Sequence, residues 1–391
     1  MIVLAGADIV LPDQIIVGGS LEIRDGIIGD IVRSSPAHYQ GRATVIDLAG
    51  HTIVPGFVDV HVHGLEGIDV LDGPDAVANV AARLPKYGVT AFCPTSIACT
   101  PERLNVFLDA VERGRRSMAA QSARVLGAHL ESNFLNPDWN GAQPKACLRL
   151  PFASDTGFGG DDILRVIDTH RSAVGIVTVA PELPRGIELV QYLVRAGHRV
   201  SLGHTGATYD EAKAAIEAGA RHATHLFNRM SSITSRSPGV VGAVLESNRV
   251  TAEIVCDGHH VHPSLVSMAV RVKSPSRTIA ITDGTALAGL PRGSRARLGD
   301  HTIIAGDRTA LLEDGTIAGS ILTMDGAFRM LRGLGWTLPE VARMCATTPA
   351  EAAGMPNTGS IAPGHVADLV ILDAAFRVRQ TYIAGHASLA Q

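Results

Sequence analysis

The sequence predicts an α/β protein: a (β/α)8 TIM-like barrel with a small β-sandwich module formed from both termini. Three observations carry this. Between Val54 and about Pro356, short apolar runs alternate with amphipathic, alanine-rich stretches, the pattern of buried parallel strands separated by helices. The first fifty and last thirty residues are instead short strands punctuated by turns. At 391 residues, the chain is long for one ordinary domain and right for a barrel with an added module.

Strands are expected at residues 2–4, 15–17, 20–23, 27–31 and 44–47, with Gly18-Gly19 and Asp25-Gly26 at the tight turns. Two more are expected near the end, at 367–372 and 382–385, so residues 1–53 and 357–391 read as one β module. Residues 54–356 read as the barrel. Its eight apolar runs are 55–63, 88–96, 123–132, 172–182, 198–207, 222–229, 250–260 and 277–285. Helices are expected between them at 73–87, 101–118, 161–170, 185–196, 209–218 and 263–273. A doubly wound open sheet is the rival architecture, but no G-x-G-x-x-G follows the first strand.

Composition narrows the function classes. Hydrophobic residues make up 46% of the chain and charged residues 18%, enough for a large core. A net charge of −4 and 4% aromatics give no footprint for nucleic acid or an acidic membrane. No apolar run reaches the roughly 18 residues that span a bilayer, and the opening MIVLAGADIVLPDQ lacks a secretory signal pattern. The five cysteines are scattered and never in a C-x-x-C pair, so reduced thiols in the cytoplasm are expected.

The histidines hold the chemistry. Of sixteen, nine fall on or beside predicted strands: His61, His63, His129, His204, His222, His225, His259, His260 and His262. Reactive groups of a barrel belong at the C-terminal ends of its strands. Those ends carry His61 and His63 (strand 1), Glu131 (strand 3), His204 (strand 5), His225 (strand 6) and Asp283 (strand 8). In His-x-His on a strand, the period of 2 sends both imidazoles to one face. One carboxylate and two further imidazoles then make a donor set suited to Zn2+ or a similar divalent ion. Asp283, after the apolar strand in IAITDGT, is the candidate general base toward a water whose pKa the ion lowers. His129 and His222, inside strands, fit buried hydrogen-bonded roles, and Glu182 fits a structural one.

Several stretches extend the pattern: VPGFVDVHVHG, GVTAFCPT, SLGHTGATYDEA, HATHLFNRM, DGHHVHP, ITDGTALAG, GTIAGS and GSIAPGHVADLVILD. In this order they resemble the N-acetylglucosamine-6-phosphate deacetylase family of the amidohydrolase superfamily, across nearly the whole chain. The resemblance implies a metal-dependent hydrolase that converts N-acetylglucosamine 6-phosphate to glucosamine 6-phosphate and acetate. Its alternative is an amidohydrolase acting on another N-acyl amino-sugar phosphate, such as N-acetylgalactosamine 6-phosphate, or on a cyclic amide. It implies that Glu131, His204 and His225 ligate one divalent ion, with His61 and His63 at a second position that only some members retain. Zn2+ is the first expectation, with Fe2+ or another divalent ion as the alternative.

By the same resemblance, Asp283 is the acid/base, and Asn228, the backbone of Arg229, and a turn at Ile317, Ala318 and Gly319 contact substrate. His260 lies near the sugar phosphate. Arg236 reaches the phosphate of a neighbouring subunit, implying a homodimer. Two departures bear on specificity. The family has Glu-Gly-Pro where this chain has Glu131-Ser132-Asn133, and a histidine where it has Gln143. Glutamine donates and accepts hydrogen bonds but carries no charge, which puts the acyl group or sugar epimer in question. A cyclic-amide reaction is disfavoured because strand 4, VGIVTVAPE, has no lysine to bridge two metals. A deaminase is disfavoured because GHTGA lacks His-x-x-Glu, and a silent sugar-phosphate binder because every ligand and the aspartate are present.

Overall fold

The computed structural model describes residues 1–33, 43–116 and 121–388. Its centre is a ring of eight parallel strands, one in each apolar run. They are Phe57–Val62, Val89–Ser96, Ala128–Glu131, Val174–Val179, Arg199–Leu202, His222–Ala223, Thr251–Val255 and Thr278–Ile281. Neighbours pair in that order, and a bridge between Val62 and Gly284 closes the eighth strand onto the first. Every residue of the first two strands is buried, as strands covered on both faces must be.

Helices 209–218 and 263–273 form as the periodicity predicts. The former opens with a capping box, in which Thr208 accepts from the Glu211 amide and the Glu211 carboxylate accepts from the Thr208 amide. The helix expected at 101–118 is Pro101–Arg116, and Met118 lies outside the described residues. The one expected at 73–87 is an α-helix, Ala76–Arg83, continued by a 3-10 turn, Leu84–Tyr87. Gly88, at φ +81°, ends that turn in the left-handed region and starts the second barrel strand.

The terminal strands join one eight-stranded sheet. Register shifts near Ala7 interrupt the pairing of the long first strand, Ile2–Val10, with Ile15–Arg24. On its other edge, its first half pairs with Thr44–Asp47 and its second half with Thr52–Pro55. The C-terminal strand Leu369–Leu372 pairs with Thr52–Pro55, so both chain ends share a core of Leu4, Ile9, Leu21, Ile53, Leu369 and Tyr382. An Arg124–Asp368 ion pair ties this sheet to the barrel.

Two features lie outside the predicted alternation. Residues 295–320 form a four-stranded antiparallel sheet, Arg295–Leu298, His301–Ala305, Thr309–Leu312 and Ile317–Ser320. The expected contact turn at Ile317, Ala318 and Gly319 is therefore the last strand of this sheet. It is docked on the segment that follows the eighth barrel strand by Ser320 N–H donating to the Asp283 carbonyl (2.8 Å) and Thr285 N–H to the Ser320 carbonyl (3.1 Å). The helix Gly239–Glu246, GVVGAVLE, escaped the periodicity because it is apolar almost all round, which leaves no polar stripe to detect.

Candidate metal and catalytic site

The barrel brings His61, His63, Glu131, His204, His225 and Asp283 together at one end. His204, His225 and Asp283 have φ of +48°, +30° and +50°. Non-glycine residues rarely adopt this region, and they persist there only where surrounding contacts hold them. At each, the chain turns sharply off its strand and aims a side chain at the axis. The sixth run shows this most: only His222–Ala223 stay in strand geometry, and Phe227 and Arg229 also take positive φ.

The donor set tests itself. Carbonyl oxygens only accept, so His63 Nδ1–H donates to the Thr95 carbonyl (3.0 Å) and His204 Nδ1–H to the Trp139 carbonyl (2.8 Å). His61 Nδ1 donates to the Glu253 carboxylate (2.9 Å). Three imidazoles are thereby committed to turn an Nε2 lone pair into the cavity. There His61 and His63 Nε2 stand 3.2 Å apart, and His204 and His225 Nε2 3.1 Å apart. Glu131 Oε1 lies 2.8 Å from both His204 and His225 Nε2. Buried lone pairs facing one another and a carboxylate repel unless a cation lies among them. Burial opposes charge on His61, yet Asp283, Glu253 and Glu131 push its pKa up to about 10. Burial likewise favours neutral Glu131, but His204 and His225 hold it well below the usual carboxylate range. The cavity is short of positive charge. Two clusters, Glu131–His204–His225 and His61–His63–Asp283, are each compact enough to hold an ion, so the residues fit a divalent metal.

Asp283 Oδ1 is 3.4 Å from His61 Nε2 and 3.3 Å from His63 Nε2. Beside it opens a cavity of about 260 Å3. Its walls include Gln143, Asn228, Arg229, His260, Ile317, Ala318 and Gly319, all expected from the sequence, together with His63, Glu131, His204, His225 and Asp283. His61 lies below, fully buried. Gln143 donates to Glu131 and accepts from the Ala98 amide (2.8 Å), so its side chain braces the Glu131 carboxylate. Ser132 and Asn133 face elsewhere: Ser132 Oγ donates to the Thr178 carbonyl, and Asn133 Nδ2 to the Cys99 and Cys147 carbonyls. Of the two departures, only Gln143 touches the cavity.

Arg236 stands apart, exposed on the loop before Gly239–Glu246, and is not among the residues lining the cavity. His129 and His222 are buried and hydrogen-bonded as expected. Glu182 ties Asn136 to Thr205 and Gly206. His262 caps the helix Pro263–Lys273. The sequence reading missed Asp257, whose Oδ2 receives His260 Nδ1–H at 2.6 Å while Oδ1 accepts the His259 and His260 amides. Burial would neutralise this carboxyl, but those donors hold it below the usual range. His260 Nε2 is left buried and unpaired at the cavity wall. The signal for Asp257 was its place three residues before His260 in DGHH.

Comparison with known proteins agrees with this geometry. A model of the amidohydrolase family matches residues 52–387. This chain belongs to the amidohydrolase family. Within that family, an N-acetylglucosamine-6-phosphate deacetylase of Lysinibacillus sphaericus is 33% identical over 375 residues, covering 93% of this chain and 91% of that protein. An N-acetylgalactosamine-6-phosphate deacetylase of Escherichia coli O157:H7 is 32% identical over 371 residues, covering 93% of each. The crystal structure of N-acetylglucosamine-6-phosphate deacetylase from Pasteurella multocida superposes with a TM-score of 0.90 at 28% identity, over 100% of this chain and 99% of that one. A mutant of the Mycobacterium smegmatis enzyme in complex with N-acetyl-D-glucosamine-6-phosphate gives 0.88 at 32% identity, over 99% and 98%.

Proposed function

We propose that this protein is an N-acetylglucosamine-6-phosphate deacetylase, hydrolysing the amide to glucosamine 6-phosphate and acetate. The observation that carries the reading is the convergence of His61, His63, His204 and His225 Nε2 on Glu131 and Asp283, at the mouth of a cavity walled by His260 and Asn228. The mixed nitrogen and oxygen donors suit Zn2+. When bound, the ion polarises the amide carbonyl and lowers the pKa of the attacking water. Asp283 takes the water's proton and hands it to the departing nitrogen, because an amine is a poor leaving group until protonated. Gln143 and the imidazoles hold Glu131 in place. His260 Nδ1 donates to Asp257, and its unpaired Nε2 faces the phosphate. Asn228, the Arg229 backbone and the strand Ile317–Ser320 shape the sugar pocket.

Arg236, with no hydrogen bond or ion pair among the described residues, is free to reach a second subunit's phosphate in a homodimer. The same reading assigns catalysis to residues 54–356 and support to 1–53 with 357–391. The free cysteines suit the cytoplasm, and among the described residues no helix is long and apolar enough to cross a membrane.

An amine-release assay on N-acetylglucosamine and its 6-phosphate, each with and without added divalent ion, tests the reading. Metal-dependent turnover favouring the phosphate is expected; equal rates on the two sugars would sink the phosphate assignment. Gln143 and the 32% identical relative from Escherichia coli O157:H7 favour one second reading, N-acetylgalactosamine 6-phosphate. Including that sugar in the assay decides between them.

A further inference from the structure

Glu253 has no part in the chemistry above. It is the one charged residue in the seventh barrel strand, Thr251–Val255, and is completely buried. Its oxygens are nonetheless fully engaged. Oε2 accepts from His61 Nδ1 at 2.9 Å and from the His225 amide at 3.2 Å, and Oε1 lies 2.8 Å from His222 Nε2. His129 Nδ1 stands 3.7 Å from Oε1, and donates instead to the Val60 carbonyl at 3.0 Å. The His222 tautomer is set from its far side. Arg199 Nε–H points at His222 Nδ1 (3.3 Å), so Nδ1 accepts and Nε2–H donates to Glu253. Three N–H groups, from strand 1, strand 6 and the turn after strand 6, thus meet one carboxylate on strand 7.

We propose that Glu253 is a positioning residue that fixes His61 in the tautomer and ring orientation presenting Nε2 to the metal. This rests on the metal-site reading. His61 Nδ1 has no other acceptor among the described residues, so nothing else in the shell selects which nitrogen faces the cavity. The bond to the His225 amide anchors the turn carrying another ligand, so one buried carboxylate ties together both halves of the donor set. Carboxylates that receive the far N–H of a ligating histidine raise its basicity and hold its plane, and losing one typically lowers metal affinity about 10–100-fold.

Glu253→Gln is the incisive variant. It keeps the shape but has one acceptor oxygen and an NH2 group, so one imidazole N–H must face another N–H. Metal-stripped protein titrated calorimetrically with Zn2+ alone is expected to bind about 10–100-fold more weakly in the variant at the position served by His61. In a His61→Asn background, Glu253→Gln is expected to lower Zn2+ affinity by clearly less than in the wild-type background, because the glutamine oxygen still accepts the His225 amide and only the His61 link is lost. Glu253→Asp, with the charge kept but the reach shortened, carries the same comparison if the glutamine variant does not fold. Wild-type affinity in the single variant would overturn the proposal. So would an equal loss in both backgrounds, which is what a merely structural role produces. No substrate enters this titration, so failure of the deacetylase assay would leave its outcome intact.

Discussion

Asp257→Asn separates phosphate recognition from catalysis. Asp257 receives His260 Nδ1–H at 2.6 Å and two backbone amides at 2.7 and 2.8 Å, which seats the ring with Nε2 at the cavity wall. Asparagine keeps an oxygen for the amides but turns an NH2 toward the ring, so the hydrogen bond that seats His260 against a carboxylate is replaced by one to a neutral amide. A hydrogen bond to a charged partner contributes about 1.5–3 kcal/mol and a neutral one about 0.5–1.5. The difference, about 1.4 kcal/mol, is tenfold in affinity. Steady-state kinetics on N-acetylglucosamine 6-phosphate is expected to show KM raised about tenfold with kcat little changed. On unphosphorylated N-acetylglucosamine, kcat/KM is expected to stay at the wild-type value. An equal fall on both sugars, or no fall on either, refutes the assignment of His260 to the phosphate.

Other substitutions probe the remaining parts. Asp283→Asn is expected to lower kcat by about 100- to 10,000-fold, the reach of general acid–base catalysis; full turnover, with the Glu131–His204–His225 ion shown by elemental analysis to be retained, would remove Asp283 from the mechanism. Chelation is expected to lower the melting temperature, and Zn2+ to restore it, because the converging imidazoles and carboxylates lose the ion that offsets them. A melt indifferent to chelator contradicts the metal site. Gly319→Ala places a Cβ 2.8 Å from Thr285 Cγ2 and 2.9 Å from the Asp283 carbonyl, at φ +73°. It is expected to cost about 1–2 kcal/mol in urea unfolding and to lower kcat through displacement of Asp283. Wild-type kcat in that variant would show that the docked strand does not position the base.

The sequence carried the architecture because barrel strands are local signals. Runs such as VGIVTV and TIAI are apolar on both faces, and the stretches between them repeat at 3.6 residues. The segment 295–320 was not legible in this way. Its strands are four or five residues long, only partly buried, and held in a meander by pairing with one another. The converging side chains were legible because strand ends are reactive positions in this fold and His-x-His has one geometric meaning on a strand. Their supports were not: the carbonyls of Thr95 and Trp139 that set the imidazole tautomers belong to residues 32 and 65 positions away along the chain.

By itself the sequence determined which side chains reach the barrel mouth, since the period of a strand and the order of βαβ units follow from nearest neighbours along the chain. Tertiary structure alone decided how those side chains are held. It set the lone pairs of His61, His63 and His204 toward one point, placed Gln143 against Glu131 and not simply against substrate, and buried Glu253 where three strands meet. Tautomer, orientation and charge depend on groups brought within 3 Å by folding, and spacing along the chain carries no record of them.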